Sequence, residues 1–292
     1  MPGDALTGLF DASDIDPARV LELRAMHGLD LPWYQQYFRW ISGIVQGDWG
    51  TSMINHRPVL SLLGERITNT LRLAVFTLVL TYLIAIPLGL AAAKNKGKII
   101  DKAIIVFTFF ILAMPTVIFA LINIFVFGFR MGLFPVRGSV SVLAEAGTWY
   151  YFISRIQHLI LPGITGAILN IVFIVNIFRS EIIDVENSDF VTTARAKGVP
   201  RKTVFTKHIM RNASVPLAAG VGSAIATLVT GSVFIEQIFS FPGMGHLFFQ
   251  SMVGRDFSVV NSIVLLSSFF IAMGTLSGDI ILTIIDPRIR IK

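Results

Sequence analysis

Five apolar runs, each long enough to cross a bilayer, constrain this chain more than any other feature. They lie at about 67–93, 103–129, 159–180, 214–235 and 261–285, and roughly 20 residues suffice to span the hydrocarbon. The chain is 54% hydrophobic and 14% charged, with 24 phenylalanines. Soluble domains carry nearer a quarter of charged residues. The pattern predicts an all-α membrane protein, a polytopic helical bundle.

The charges orient it. All eight lysines lie at 94, 96, 98, 102, 197, 202, 207 and 292. If the spans alternate, these positions share one side, and the positive-inside rule makes that side cytoplasmic. Arg195, Arg201, Arg211, Arg288 and Arg290 join them. Topology thus accounts for the net charge of +6, and no nucleic-acid partner is expected. Five spans with a cytoplasmic C-terminus leave residues 1–66 outside with no signal peptide to carry them. The reading therefore expects a sixth, first span missing upstream of Met1. Within the outer segment, 17–28 and 32–44 are expected to form short helices, the second presenting Trp33, Tyr37, Trp40 and Ile44 near one face.

The segment from Ser188 to Pro216 is too structured for a plain connector. Asp189 is expected to cap a helix over 190–197, with Arg195 and Lys197 in its last turn. Gly198 stands where a left-handed residue ends a helix, and Pro200 blocks continuation. A second helix is expected from about 203 to 212. Pro115 should kink the second span. The fourth carries a small-residue stripe, Gly220, Ala224, Thr227 and Gly231. Polar residues within the spans are few: Asn123, Asn170, Asn176, Thr227, Thr230 and Asp279. The asparagines and threonines are candidates to line a pathway, with hydrogen bonding between helices as the alternative.

Recognisable engines are absent from the sequence. There is no phosphate-binding G-x-x-x-x-G-K-[ST] and no H-E-x-x-H. The histidines (27, 56, 158, 208 and 246) are scattered, and the chain has no cysteine. No carboxylate pair sits mid-span to relay protons, which weighs against a stand-alone proton-coupled carrier. A membrane pathway with a folded loop and no engine suggests that energy arrives from a partner.

Several motifs then carry a family resemblance. They are Pro-Gly-Asp (2–4), His-Gly-Leu-Asp-Leu-Pro-Trp-Tyr-Gln-Gln-Tyr (27–37), Gly-Asp-Trp-Gly-Thr-Ser (47–52), Thr-Ala-Arg-Ala-Lys-Gly (193–198), His-Ile-Met-Arg-Asn-Ala-Ser-Val-Pro (208–216), Glu-Gln-Ile-Phe-Ser-Phe-Pro-Gly-Met-Gly (236–245) and Asp-Pro-Arg-Ile-Arg (286–290). In this order they resemble the permease subunits of bacterial ABC importers of the dipeptide, oligopeptide and nickel group. The general importer motif begins Glu-Ala-Ala and ends Ile-x-Leu-Pro. Here those places read Thr192-Thr193-Ala194 and His208 to Arg211, a departure common in this group.

The resemblance implies an extracytoplasmic segment (1–66) and a permease domain (67–292) with a cytoplasmic coupling loop (181–213). It implies a second homologous permease, two cytoplasmic ATPase subunits holding ATP and Mg, and an extracytoplasmic solute-binding protein. This chain would lie in the bacterial plasma membrane, bind no cofactor and catalyse nothing itself. Asp189, Thr193, Ala194, Arg195, Ala196, Lys197, Gly198, Arg201, His208, Arg211 and Asn212 would couple it to an ATPase. The cargo would be peptides, with nickel or a metal chelate as the alternative.

Overall fold

A computed structural model describes residues 30–220 and 233–285. The expected helix over 17–28 lies outside them, as do Thr227, Thr230 and most of the fourth span. The described elements run α1 (Trp33–Val45), α2 (Val59–Lys94), α3 (Ile99–Ala113), α4 (Thr116–Arg130), α5 (Trp149–Glu186), α6 (Asp189–Ala196), α7 (201–213), α8 (Val233–Ile238), α9 (Met244–Val253) and α10 (Phe257–Ile285). No strand occurs among the described residues.

Two long helices, α2 and α5, form the central pair. Each exceeds its apolar run. At 1.5 Å per residue, the 38 residues of α5 extend about 57 Å, nearly twice the ~30 Å hydrocarbon thickness. The helix therefore continues past the membrane at both ends. The same holds for α2, whose 36 residues absorb 59–66, positions assigned by sequence to the outer segment. Nothing local stops either helix there. Pro87 and Pro162 are both accommodated without a break.

Pro115 behaves differently. It divides the predicted second span into α3 and α4, which meet at a bend of 103°. Met114 before it is extended (φ −88°, ψ 123°), as the ring of a following proline favours. The expected kink is thus a full break: 99–130 forms two apolar helices set at a sharp angle, the geometry of a broken span or of a re-entrant loop. The end of α4, Ile124–Arg130, winds as a wider π-helix.

Packing divides into clusters along the axis. At the lysine-rich end, Ala93, Phe178 and Ile182 of α2 and α5 pack with Val191, Ala194, Val204, Ile209, Ala213 and Leu217. In the middle, Ala85 packs with Ile171 and Val175. Towards the opposite end, Leu73, Leu161, Ile235, Phe239 and Phe241 form one cluster, and Val59, Leu62, Leu63, Met244, Leu247, Val259 and Ile263 another. Large apolar side chains such as Phe109, Phe110 and Phe125 point outward, more than half exposed, where lipid surrounds them in a membrane.

Two buried carboxylates fasten the end opposite the lysines. Asp256, fully buried before α10, accepts from the Ser52 hydroxyl (2.5 Å) and from the amide of Val259 (3.4 Å). It thereby caps α10 and holds the Gly-Asp-Trp-Gly-Thr-Ser loop. Glu236, also fully buried, accepts from the Thr70 hydroxyl (2.8 Å) and the His246 amide (3.1 Å). The Thr70 oxygen in turn accepts from the Met244 amide at 2.7 Å. The Pro-Gly-Met-Gly loop is wrapped around this carboxylate so closely that a Cβ on Gly243 would fall 2.4 Å from it. Only glycine fits there.

Candidate functional site

The loop after α5 folds as a two-helix module. Ser188, rather than Asp189, occupies the cap position (φ −74°, ψ 151°). Its carbonyl accepts the first helical amides, Val191 (3.1 Å) and Thr192 (3.2 Å), while its hydroxyl donates to the Val185 carbonyl at 2.6 Å. Asp189 is instead the first residue of α6, where its carboxylate still favours the positive end of the helix dipole. Gly198 has φ +75°. Its amide donates to the Arg195 carbonyl (3.0 Å) and the Val199 amide to the Ala194 carbonyl (3.2 Å). This left-handed stop turns the chain into α7. Helix α7 fills the predicted 203–212 and is wound as a π-helix over Val204–Ile209.

Burial sorts the candidate residues. Val191 and Ala194 are buried in the cluster they share with Ala93, Phe178, Ile182 and the α7 residues Val204 and Ile209, so Ala194 serves packing and presents nothing outward. Thr193, Ala196, Lys197, Arg201 and Arg211 are exposed, and so is Gly198. Arg195 is exposed but donates to Glu186 at 2.8 Å, an ion pair within the module. Asn212 donates to the His208 carbonyl of its own helix (2.6 Å), and His208 is half-buried. The module is also tied to α2, because Lys94 Nζ sits 4.9 Å from the centre of the Phe205 ring. Such a contact is worth about 0.5–1 kcal/mol at an exposed site.

Beside the module lies a clamp with no motif to announce it. Arg179 on α5 donates from Nε to Asp101 Oδ1 (2.5 Å) and from Nη2 to Oδ2 (2.8 Å). Asp101 is buried at the start of α3 and also accepts from the Gly97 amide at 2.8 Å. The bidentate geometry fixes both distance and orientation. It holds the start of α3 against the helix that carries α6.

A cleft of about 820 Å³ opens between α2, α3, α5 and α8. Thr70, Thr77 and Thr81 of α2, Asn170 of α5 and Gly220 line it, with Leu73, Phe173 and Ile174 among the apolar walls. Of the described pathway candidates, Asn170 alone faces this cleft. Asn176 bonds the Thr108 hydroxyl of α3 (3.3 Å) and the Val172 carbonyl (2.7 Å). Asn123 is buried and bonds the Phe119 carbonyl of its own helix at 2.8 Å. Asn176 thus ties α5 to α3, whereas the Asn123 bond stays within α4. The sequence missed the threonine face of α2, although its spacing of seven and four residues is legible as one helical face. Asp279 is exposed on α10, away from the cleft lining.

Long apolar helices, a sharply bent apolar pair, a cleft between them and a folded loop after the longest helix define the class: a multi-pass helical membrane protein. Comparison with known proteins gives the family. Residues 85–291 match the model of the binding-protein-dependent transport system inner membrane component, and the chain belongs to that family. It is 38% identical over 292 residues to the oligopeptide transport system permease protein AppB of Bacillus subtilis, covering 99% of this chain and 90% of that one. It is 32% identical over 309 residues to the dipeptide transport system permease protein DppB of Escherichia coli K12, covering 100% and 91%. Among solved structures, inward-facing MetNI methionine ABC transporter aligns over 78% of this chain and 97% of the matched one, with TM-score 0.59 and 17% identity, a likeness of fold.

Proposed function

We propose that this chain is one of two homologous permease subunits of an ATP-driven importer. Its cargo is oligopeptides or dipeptides handed over by an extracytoplasmic solute-binding protein. The observation that carries the peptide assignment is the 38% identity to an oligopeptide permease over 99% of the chain. The lysine-rich end is cytoplasmic, and the C-terminus lies there too. Two ATPase subunits, holding ATP and Mg, sit beneath the permeases, and one receives α6 in a groove. Asp189, Thr193, Arg195, Ala196, Lys197, Gly198, Arg201, Arg211 and Asn212 form the contact face, because all of them are exposed.

Helix α5 runs unbroken from the cleft, where it bears Asn170, to Glu186 just before α6. When ATP closes the ATPase dimer and shifts α6, α5 must move with it as a lever. The Asp101–Arg179 clamp carries that motion to α3. The bundle then alternates between outward and inward openings, an equilibrium biased by the nucleotide's different affinity for the two states. Asn170 and the α2 threonines offer uncharged hydrogen-bonding groups to peptide backbones.

Reconstitution into proteoliposomes with the ATPase subunits, second permease and peptide-loaded binding protein tests this. Labelled oligopeptide should accumulate only with ATP and binding protein together. Uptake without ATP, or uptake of nickel in place of peptide, would contradict the assignment.

A further inference from the structure

Arg66 stands one turn outward from Thr70 on α2. Positions 66, 70, 73, 77 and 81 share one helical face, and the last four line the cleft. The Arg66 side chain is half-buried, yet among the described residues no atom accepts a hydrogen bond from its guanidinium. The carboxylates within its electrostatic reach are Glu65 and Glu236, and both are engaged. Glu65 is paired with Arg57 at 2.6 Å. Glu236 is enclosed, with one oxygen bonded to Thr70 and the other to the His246 amide. A guanidinium offers five N–H donors and keeps its charge. None of its nitrogens is a buried atom without a partner, so among the described residues its donors meet water, which an arriving anion can replace.

We propose that Arg66 is a carboxylate-binding site at the outer mouth of the cleft, and that it takes the free C-terminal carboxylate of an incoming peptide. The proposal rests on the peptide-import reading above. The planar fork of arginine suits a carboxylate in two parallel hydrogen bonds. Further in, the cleft offers hydroxyls and an amide at Thr77, Thr81 and Asn170, which match neutral peptide groups. The peptide amine finds no equivalent partner at the mouth, because the Glu236 carboxylate is fully buried and already bonded. An acidic side chain of the docked binding protein would instead meet exposed arginines such as Arg72. Half-burial on the cleft face selects the small ligand.

The test uses the complete reconstituted importer and one peptide in two forms, with a free C-terminus and with a C-terminal amide. Each is supplied pre-bound to the binding protein, so that protein's own selectivity drops out. The native importer should move the free acid roughly tenfold faster, the scale of one charge-assisted hydrogen-bonded pair. R66Q should slow the acid about tenfold and leave the amide unchanged, abolishing the preference. R66K, which keeps the charge and loses the fork, should fall between, and R72Q should keep the native preference. Equal slowing of both forms by R66Q and R66K would make Arg66 a contact for the binding protein or a fold element and overturn the proposal. So would a preference that survives R66Q. A native importer that moves neither form with ATP would overturn the peptide reading itself.

Discussion

Replacing Arg179 with alanine is expected to lower the stability of the chain by about 3 kcal/mol. It should also abolish most transport. The substitution removes both Arg179 hydrogen bonds from the Asp101 carboxylate, which is 3% exposed beneath that side chain, and keeps the one from the Gly97 amide. Removing one partner of a buried pair typically costs ~3–5 kcal/mol. The low end applies because the Arg179 side chain is 23% exposed and water can enter when it is cut away. Thermal unfolding in detergent measures the loss. The paired change, Asp101→Leu with Arg179→Leu, should be milder than R179A, since no unpaired charge remains. If R179A unfolds like the native chain, the clamp holds nothing.

Replacing Gly198 with valine is expected to uncouple ATP hydrolysis from uptake. The residue sits at φ +75°, where a β-branched side chain is strained by roughly 1–2 kcal/mol. Nothing lies within 4 Å of the added Cβ, so the substitution causes no clash in this chain. The strain is relieved by unwinding the turn between α6 and α7, which tilts the contact face while Val191 and Ala194 keep the helix docked. Uptake should fall at least tenfold, and the importer should still assemble and hydrolyse ATP. Uptake and binding-protein-stimulated hydrolysis measured on the same proteoliposomes separate these effects. Native values for both would remove α6 from the coupling path.

Punctuation made the two-helix module legible in the sequence. Gly198 and Pro200 stop one helix and start another, and both boundaries fall within a few residues of expectation. Asp189 misled because aspartate and serine are both good caps, and the local sequence does not rank adjacent candidates. Hydropathy located the apolar part of α5 but not its ends, since an exposed polar turn at either end is as helical as the core. Pro115 was visible, yet its outcome was not. The prolines at 87, 115 and 162 read alike in sequence, and only at 115 does the preceding residue leave the helix. The two carboxylate fastenings were out of reach for a different reason. Glu236 meets Thr70 across 166 residues and Asp256 meets Ser52 across 204, and periodicity reports nothing about partners so distant. The same holds for Arg179 and Asp101. Asn123, Asn170 and Asn176 are all polar positions in apolar runs, and tertiary packing separates the cleft-facing Asn170 from Asn176, which bonds α3, and Asn123, which bonds its own helix.

The central claim is that α6 is the seat of an ATPase subunit on the lysine-rich side. The chain has no cysteine, so a Thr193→Cys variant places a single thiol on the exposed face of α6, and Ser240→Cys places one on the opposite end of the molecule. Each variant is assembled in native membranes and treated with a short thiol-to-amine cross-linker, with and without ATP. The account predicts that Thr193→Cys forms a one-to-one adduct with the ATPase subunit, in a yield that ATP changes, and that Ser240→Cys forms none with it. An ATPase adduct through Ser240→Cys, with Thr193→Cys open to a membrane-impermeant reagent from outside, would invert the topology and contradict the account.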